Sequence, residues 1–115
     1  ASCNKENIRP EKDELQVRFE NIGDSKIKNF KFQGKNIGDI PKQSHTKYYS
    51  VSQFKVIAGQ VTAEASVKSD YGVIDSWEYV GGGTANEQII TDGKHTIEVG
   101  LMYGCGVGLI MTLQD

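Results

Sequence analysis

Apolar and polar residues alternate along this chain with a period of two, most clearly near its end. Between Lys94 and Gln114, one set of alternate positions is mostly apolar, on both sides of a centre that contains Gly104 and Gly106. Because the side chains of a strand point to opposite faces in turn, this pattern predicts a β-hairpin with one apolar face. The positions predicted on that face are His95, Ile97, Val99, Leu101, Tyr103, Cys105, Val107, Leu109, Met111 and Leu113.

Shorter runs upstream show the same alternation and are separated by turn residues. Residues 14–22 and 27–32 predict two strands, and the short connection between them predicts that they pair as a hairpin. Residues 54–69 are the longest strand candidate, in which Gly59 is expected to form a bend that lets one run serve two sheets. Further short strands are expected at 36–40, 47–51, 73–80 and 88–90.

These segments together predict an all-β fold, an antiparallel β-sandwich of about seven or eight strands of the immunoglobulin-like kind. No segment has a convincing helical period. The chain has 115 residues, which is enough for one domain that buries roughly two-thirds of its unfolded surface without a metal or disulfide scaffold. We assign residues 1–13 to an N-terminal tether and residues 14–115 to the sandwich domain.

The charge of the chain is nearly balanced but unevenly distributed. The net charge is −2, so no general attraction to nucleic acid is expected, and no nucleic-acid partner is predicted. Segment 26–55 carries seven lysines and one acid, whereas segment 56–115 carries two lysines and eight acids. Opposite charges either meet on neighbouring strands or stay solvated, or the basic segment forms an edge that attracts an anionic ligand.

The start of the chain has the character of a lipoprotein tether. Ala1, Ser2 and Cys3 resemble the end of a bacterial lipobox, in which small residues precede the lipid-bearing cysteine, and a polar stretch with Pro10 follows. This predicts Cys3 as a lipid anchor, a removed signal peptide and an exported protein. The alternative is an ordinary free or buried cysteine at this position.

Cysteine and histidine do not form a recognisable reactive or metal-binding motif. Cys3 and Cys105 are the two cysteines; they either form a disulfide or, as we favour, Cys105 is an unpaired and partly buried thiol. His45 and His95 lack a second ligand at metal-binding spacing, and His95 is expected to be a hydrogen-bonded residue at the core rim. We therefore predict no cofactor, no metal and no catalytic residues.

Aromatic residues are the remaining candidates for a binding site. Trp77 and Tyr79 share one face of a predicted strand, and Tyr48 and Tyr49 lie near turns. Aromatic rings that are exposed on a β-surface stack on sugar rings or anchor a protein partner. We predict these four as possible ligand contacts, and the alternative is that their rings pack in the core.

Four segments resemble small exported lipoproteins of gut-dwelling Bacteroidota. They are 17–24 (VRFENIGD), 38–41 (GDIP), 77–81 (WEYVG) and 93–97 (GKHTI), and the resemblance covers most of the chain in order. In that family a lipidated cysteine and a short tether precede one immunoglobulin-like or transthyretin-like sandwich. The resemblance implies an outer-membrane or periplasmic location, and it implies no activity. The glycine-rich segment 103–108 departs from the tight turn expected there.

These observations favour a non-enzymatic, lipid-anchored binding or accessory module of the cell envelope. It would contact a protein or a glycan through edge strands or loops, and it would contact the membrane only through its N-terminal lipid. The alternative is a structural domain that assembles into a surface structure by β-strand addition. An enzyme or an inhibitor is the least favoured reading.

Overall fold

The computed structural model describes residues 14–70, 72–76, 86–103 and 107–114. These residues form eleven strands and no helix, so none of their segments is a helix able to span a membrane. The strands are β1 (Gln16–Asn21), β2 (Ile27–Phe32), β3 (Lys35–Ile40), β4 (Tyr49–Ser50), β5 (Phe54–Ile57), β6 (Gln60–Thr62), β7 (Ala65–Ser69), β8 (Gly72–Asp75), β9 (Glu87–Ile90), β10 (Lys94–Tyr103) and β11 (Val107–Leu113).

The strands form two sheets, as the alternation predicts. The larger sheet has seven strands in the order β9-β5-β6-β11-β10-β1-β4, and the smaller has four in the order β3-β2-β7-β8. All pairs are antiparallel except β1 and β10, which run parallel. The predicted all-β sandwich is confirmed, with more strands than the seven or eight expected, in part because the predicted run 54–69 is divided into three strands.

The closing hairpin of β10 and β11 is confirmed, and apolar positions of the two strands lie opposite each other. Val99 lies opposite Met111 and Leu101 lies opposite Leu109. Val99, Leu109 and Met111 are buried almost completely in the core between the sheets. The hairpin lies in the middle of the larger sheet, where β6 pairs with β11 and β1 pairs with β10. Its apolar face therefore forms the central part of the core on this sheet.

The predicted hairpin of the first two strands is wrong, because β1 and β2 belong to different sheets. Phe19 of β1 faces Phe30 and Phe32 of β2 across the sandwich, with ring centroids 4.8 Å and 5.0 Å apart. All three rings are fully buried. The short connection therefore crosses between layers, which lets both apolar faces bury against each other instead of lying side by side in one sheet.

Asn21 organises this crossing. It is 1% exposed at the end of β1, where its Nδ2 donates hydrogen bonds to the carbonyls of Ser25 (2.8 Å) and Ile40 (3.0 Å). Its Oδ1 accepts a hydrogen bond from the amide of Gly23 (2.9 Å). One buried side chain thus satisfies the turn and joins it to the end of β3.

The long run 54–69 is three strands rather than one. Its first two strands, β5 and β6, pair in the larger sheet through a two-residue turn at Ala58 and Gly59, whose φ angles are 52° and 82°. Positive φ at both central residues is the property of a type I′ hairpin turn. The run then reaches the smaller sheet through Ala63 and Glu64, so the prediction that it serves both sheets is confirmed, although Gly59 reverses the chain instead of bending it.

Candidate functional site

Two of the four predicted contact residues lie in the described part of the structure. Tyr48 and Tyr49 are on the edge of the larger sheet next to β1. Trp77 and Tyr79 lie outside the described residues, as do the predicted anchor Cys3 and the thiol of Cys105. The site is therefore built from the surroundings of the two tyrosines.

A β-bulge places these tyrosines. His45 lies opposite Glu20, and Tyr49 lies opposite Val17. Antiparallel pairing without an insertion would put Tyr48 opposite Val17, so the edge segment contains one extra residue, and residues 46–48 together lie opposite Arg18 and Phe19. Such bulges interrupt the ladder and redirect side chains.

Tyr49 is mainly a packing residue. Its ring is half-buried against the core, with its centroid 6.5 Å from that of Phe19. The Nζ of Lys47 lies 5.3 Å from the same ring on the solvent side. For Tyr49, the alternative of core packing describes the contacts better than a free ligand surface does.

Tyr48 lies on the outer face of the sheet, with two cations close to its ring. The guanidinium carbon of Arg18 and the Nζ of Lys94 are each 5.3 Å from the centre of its ring. Both distances are within the range of cation–π attraction. We call Arg18, Tyr48 and Lys94 the cationic aromatic site.

The parallel pairing of β1 and β10 orients the arginine. Arg18 lies opposite Thr96 in the register, and its Nε donates a hydrogen bond of 2.9 Å to Thr96 Oγ1. The residue Thr96 is only 7% exposed, so the bond is sheltered from water. The stem of Arg18 is thereby fixed, while the two terminal amino groups of the guanidinium remain for other partners.

The acidic residues that lie nearest to this site on β1 and β10 form hydrogen bonds with Gln114 and not with the two cations. Glu20 and Glu98 lie opposite each other, two residues beyond Arg18 and Thr96. The Nε2 of Gln114 donates to Glu20 Oε1 (2.9 Å) and to Glu98 Oε2 (3.2 Å). Among the described residues, no carboxylate lies within ion-pair distance of Arg18 or Lys94.

Elsewhere the basic and acidic halves of the chain do meet. The Nζ of Lys28 lies 3.9 Å from Asp70 Oδ1, and the Nζ of Lys55 lies 3.7 Å from Glu87 Oε2. In the second pair, the lysine is on β5 and the acid is on the neighbouring edge strand β9. Cross-strand neutralisation therefore describes part of the charge distribution. It does not extend to the cationic aromatic site.

The histidines serve local structure. His95 Nε2 is 2.9 Å from the carbonyl oxygen of Asp92, as expected for a hydrogen-bonded histidine at the rim of the core. His45 Nδ1 is 3.0 Å from the carbonyl oxygen of Thr46. Within the described ranges, no group of three or more histidine, cysteine or acidic side chains is arranged to hold a metal ion.

Two open clefts are both bordered by Gln33. The first is also bordered by Glu14, Lys35 and Ser50, and the second by Lys55, Glu64 and Ile89. Gln33 donates to the carbonyl of Gln53 (3.1 Å) and accepts from the amide of Ser52 (3.1 Å). These contacts connect the segment between β4 and β5 to the end of β2 in the smaller sheet.

Sequence reasoning found Tyr48 but missed its partners. Alternation places Arg18 on the polar face of the first strand and Lys94 at the start of the last hairpin, without relating the two to Tyr48. Their positions 76 residues apart become adjacent through the parallel β1–β10 pair. Alternation shows that each faces outward, but it does not show which strands are neighbours.

Comparison with protein families, with curated proteins and with solved structures finds no match for this chain.

Proposed function

We propose that this protein is a non-catalytic binding module of the bacterial cell envelope that contacts a protein or a glycan through the cationic aromatic site. The proposal includes export, a lipid anchor at Cys3 and an immunoglobulin-like class for the sandwich, with an outer-membrane location facing either the periplasm or the outside. The observation that carries it is that Arg18 and Lys94 both lie within cation–π distance of Tyr48 on a sheet face, with both cations lacking a carboxylate partner among the described residues.

The chemistry of the site supports binding rather than catalysis. Arginine, lysine and tyrosine recognise anions and ring systems by hydrogen bonds, charge and stacking. General acid–base catalysis uses groups such as histidine that are positioned on the reacting atoms. By strand alternation, His95 is on the face of β10 opposite to Lys94, and it bonds a backbone carbonyl.

The Tyr48→Ala substitution is expected to weaken binding to the partner by about tenfold or more, because it removes the ring that both cations contact. The partner is to be sought by screening the purified protein against a glycan panel and envelope extracts. Binding is then measured by calorimetry for the wild type and the variant. Val73→Ala serves as the control, because Val73 is 71% exposed in β8 of the other sheet. Equal affinities for wild type and Tyr48→Ala would contradict the proposal, as would a screen without any binding.

A second candidate function is assembly by strand addition, which one edge strand favours. Strand β9 pairs with β5 without a bulge, and no described strand pairs with its other side. Glu87, Gln88 and Ile89 are exposed, and Ile89 retains 48% of its surface. A regular edge strand with an exposed apolar residue is a template for pairing with another chain.

If this edge mediates assembly, the wild type is expected to associate with increasing concentration, and Ile89→Lys is expected to be monomeric. A lysine on an edge strand opposes pairing because it must lose its hydration. Light scattering over a concentration series measures the mass of both proteins. Thr112→Lys, at an exposed position on β11 with a paired strand on each side, should associate like the wild type. A wild type that is monomeric at every concentration would exclude this candidate.

A further inference from the structure

We propose that the ligand group held by the cationic aromatic site is the carboxylate or sulfate of an acidic sugar. This inference rests on the proposed function and specifies the chemistry of its ligand. It assigns Arg18 and Lys94 to the anion and Tyr48 to the adjoining sugar ring.

The first support is that neither Arg18 nor Lys94 pairs with a carboxylate among the described residues, although acidic residues lie close to them on the same strands. Glu20 follows Arg18 by two residues and faces the same side of β1, within the reach of an arginine side chain. The structure instead bonds Glu20 and its neighbour Glu98 to Gln114. The amide of Gln114 thus holds both carboxylates by hydrogen bonds. Among the described residues, neither carboxylate forms an ion pair with Arg18 or Lys94.

The second support is that Arg18 is already held in position before a ligand binds. Its Nε bonds the buried hydroxyl of Thr96, and its guanidinium lies over the ring of Tyr48. The terminal amino groups form the planar fork that matches carboxylate and sulfate oxygens. Holding such a group before binding reduces the entropy lost when the ligand is ordered. Lys94, which is exposed and has its Nζ 5.3 Å from the centre of the same ring, adds a second positive charge.

The shape of the edge favours a sugar over an acidic peptide. A peptide that adds to a sheet needs a regular run of unpaired backbone groups. Here the edge strand β4 has two residues, and the extra residue within 46–48 interrupts the ladder beside it. The cations instead converge on one partly exposed aromatic ring, which corresponds to the size of one sugar residue and whose exposed part can contact its C–H groups.

The test compares charged and uncharged forms of the same sugar. Short oligogalacturonates and a sulfated galactan oligosaccharide are titrated into the protein, and binding is measured by calorimetry and by NMR shifts. The methyl-esterified oligogalacturonate has the same rings without the charge. We expect at least one of the anionic sugars to bind, and the methyl ester of the uronate to bind about tenfold or more weakly if that acid is the ligand.

Charge variants then assign the contacts. Arg18→Gln and Lys94→Gln are each expected to weaken binding of the anionic sugar by about tenfold, and to reduce its dependence on salt. Lys94→Gln leaves the Arg18–Thr96 bond intact, so it remains informative if Arg18→Gln lowers stability. Lys55→Gln is the matched control, because Lys55 lies on β5 and pairs with Glu87. It should bind like the wild type.

The outcomes separate this inference from the proposed function. Failure of both anionic sugars to bind, equal binding of the methyl ester, or unchanged affinity in both charge variants would overturn the inference. Tight binding of polyglutamate with no sugar binding would also overturn it, in favour of an acidic peptide. In any of these cases, a protein or neutral glycan whose binding depends on Tyr48 would leave the proposed function standing.

Discussion

Replacing Phe19 with alanine is expected to lower the free energy of unfolding by about 3–5 kcal/mol. Its ring is fully buried at the centre of an aromatic cluster, 4.8 Å from Phe30 and 5.0 Å from Phe32 between ring centroids. Phe19 is therefore a main packing contact between the two sheets. Truncation removes its burial from water and leaves a cavity that rings from two sheets cannot easily fill.

Urea unfolding followed by far-UV circular dichroism measures this loss. Phe19→Leu retains much of the volume and should lose less, which keeps the comparison informative if the alanine variant does not fold. Val73→Ala, at an exposed position, should change stability by no more than about 0.5 kcal/mol. A loss below about 1.5 kcal/mol for Phe19→Ala would show that the aromatic cluster does not join the layers as the structure indicates.

Replacing Asn21 with alanine is expected to cost about 2–4 kcal/mol, although the residue is polar and makes no ion pair. The change removes two donors and one acceptor at once and leaves the carbonyl of Ile40 and its neighbours without partners in a buried place. Each buried polar group that loses its partner costs about 1–3 kcal/mol. Part of that cost falls if water enters the space, which sets the lower end of the range.

Asn36→Ala is the matched control, because it removes the same amide from an exposed position on β3. Its effect on urea unfolding should stay within about 0.5 kcal/mol. Asn21→Leu restores apolar volume without restoring the hydrogen bonds, so it should remain strongly destabilised. A leucine variant as stable as the wild type would mean that volume, and not hydrogen bonding, is what Asn21 supplies.

The candidate site depends on this same framework. Asn21 ends the strand that carries Arg18, and Phe19 fixes the face to which that strand turns. Because Phe19 points inward, Arg18 must point outward beside it. A destabilised framework would thus disturb the site indirectly, so each binding experiment should be paired with an unfolding curve of the same variant.

Local patterns determined much of the secondary structure. The last hairpin, with Val99 and Leu109 inside, and β1, with Val17 and Phe19 inside, follow directly from period-two alternation, since only one face of each is apolar. The turn at Asp92 and Gly93 precedes β10, with Gly93 at a φ of 88° that suits glycine. The sandwich class follows from the number and spacing of such strands.

Which strands are neighbours was decided by tertiary structure. Alternation gives each strand an inner and an outer face, but it carries no information about partners distant in the chain. The short link from β1 to β2 favoured a hairpin, yet burial of Phe19 against the rings of the second sheet favoured a crossing between layers. The parallel pairing that brings Lys94 and Arg18 to one tyrosine, and the bulge that presents Tyr48 to them, exist only in the folded chain, because both are set by packing between segments far apart in sequence.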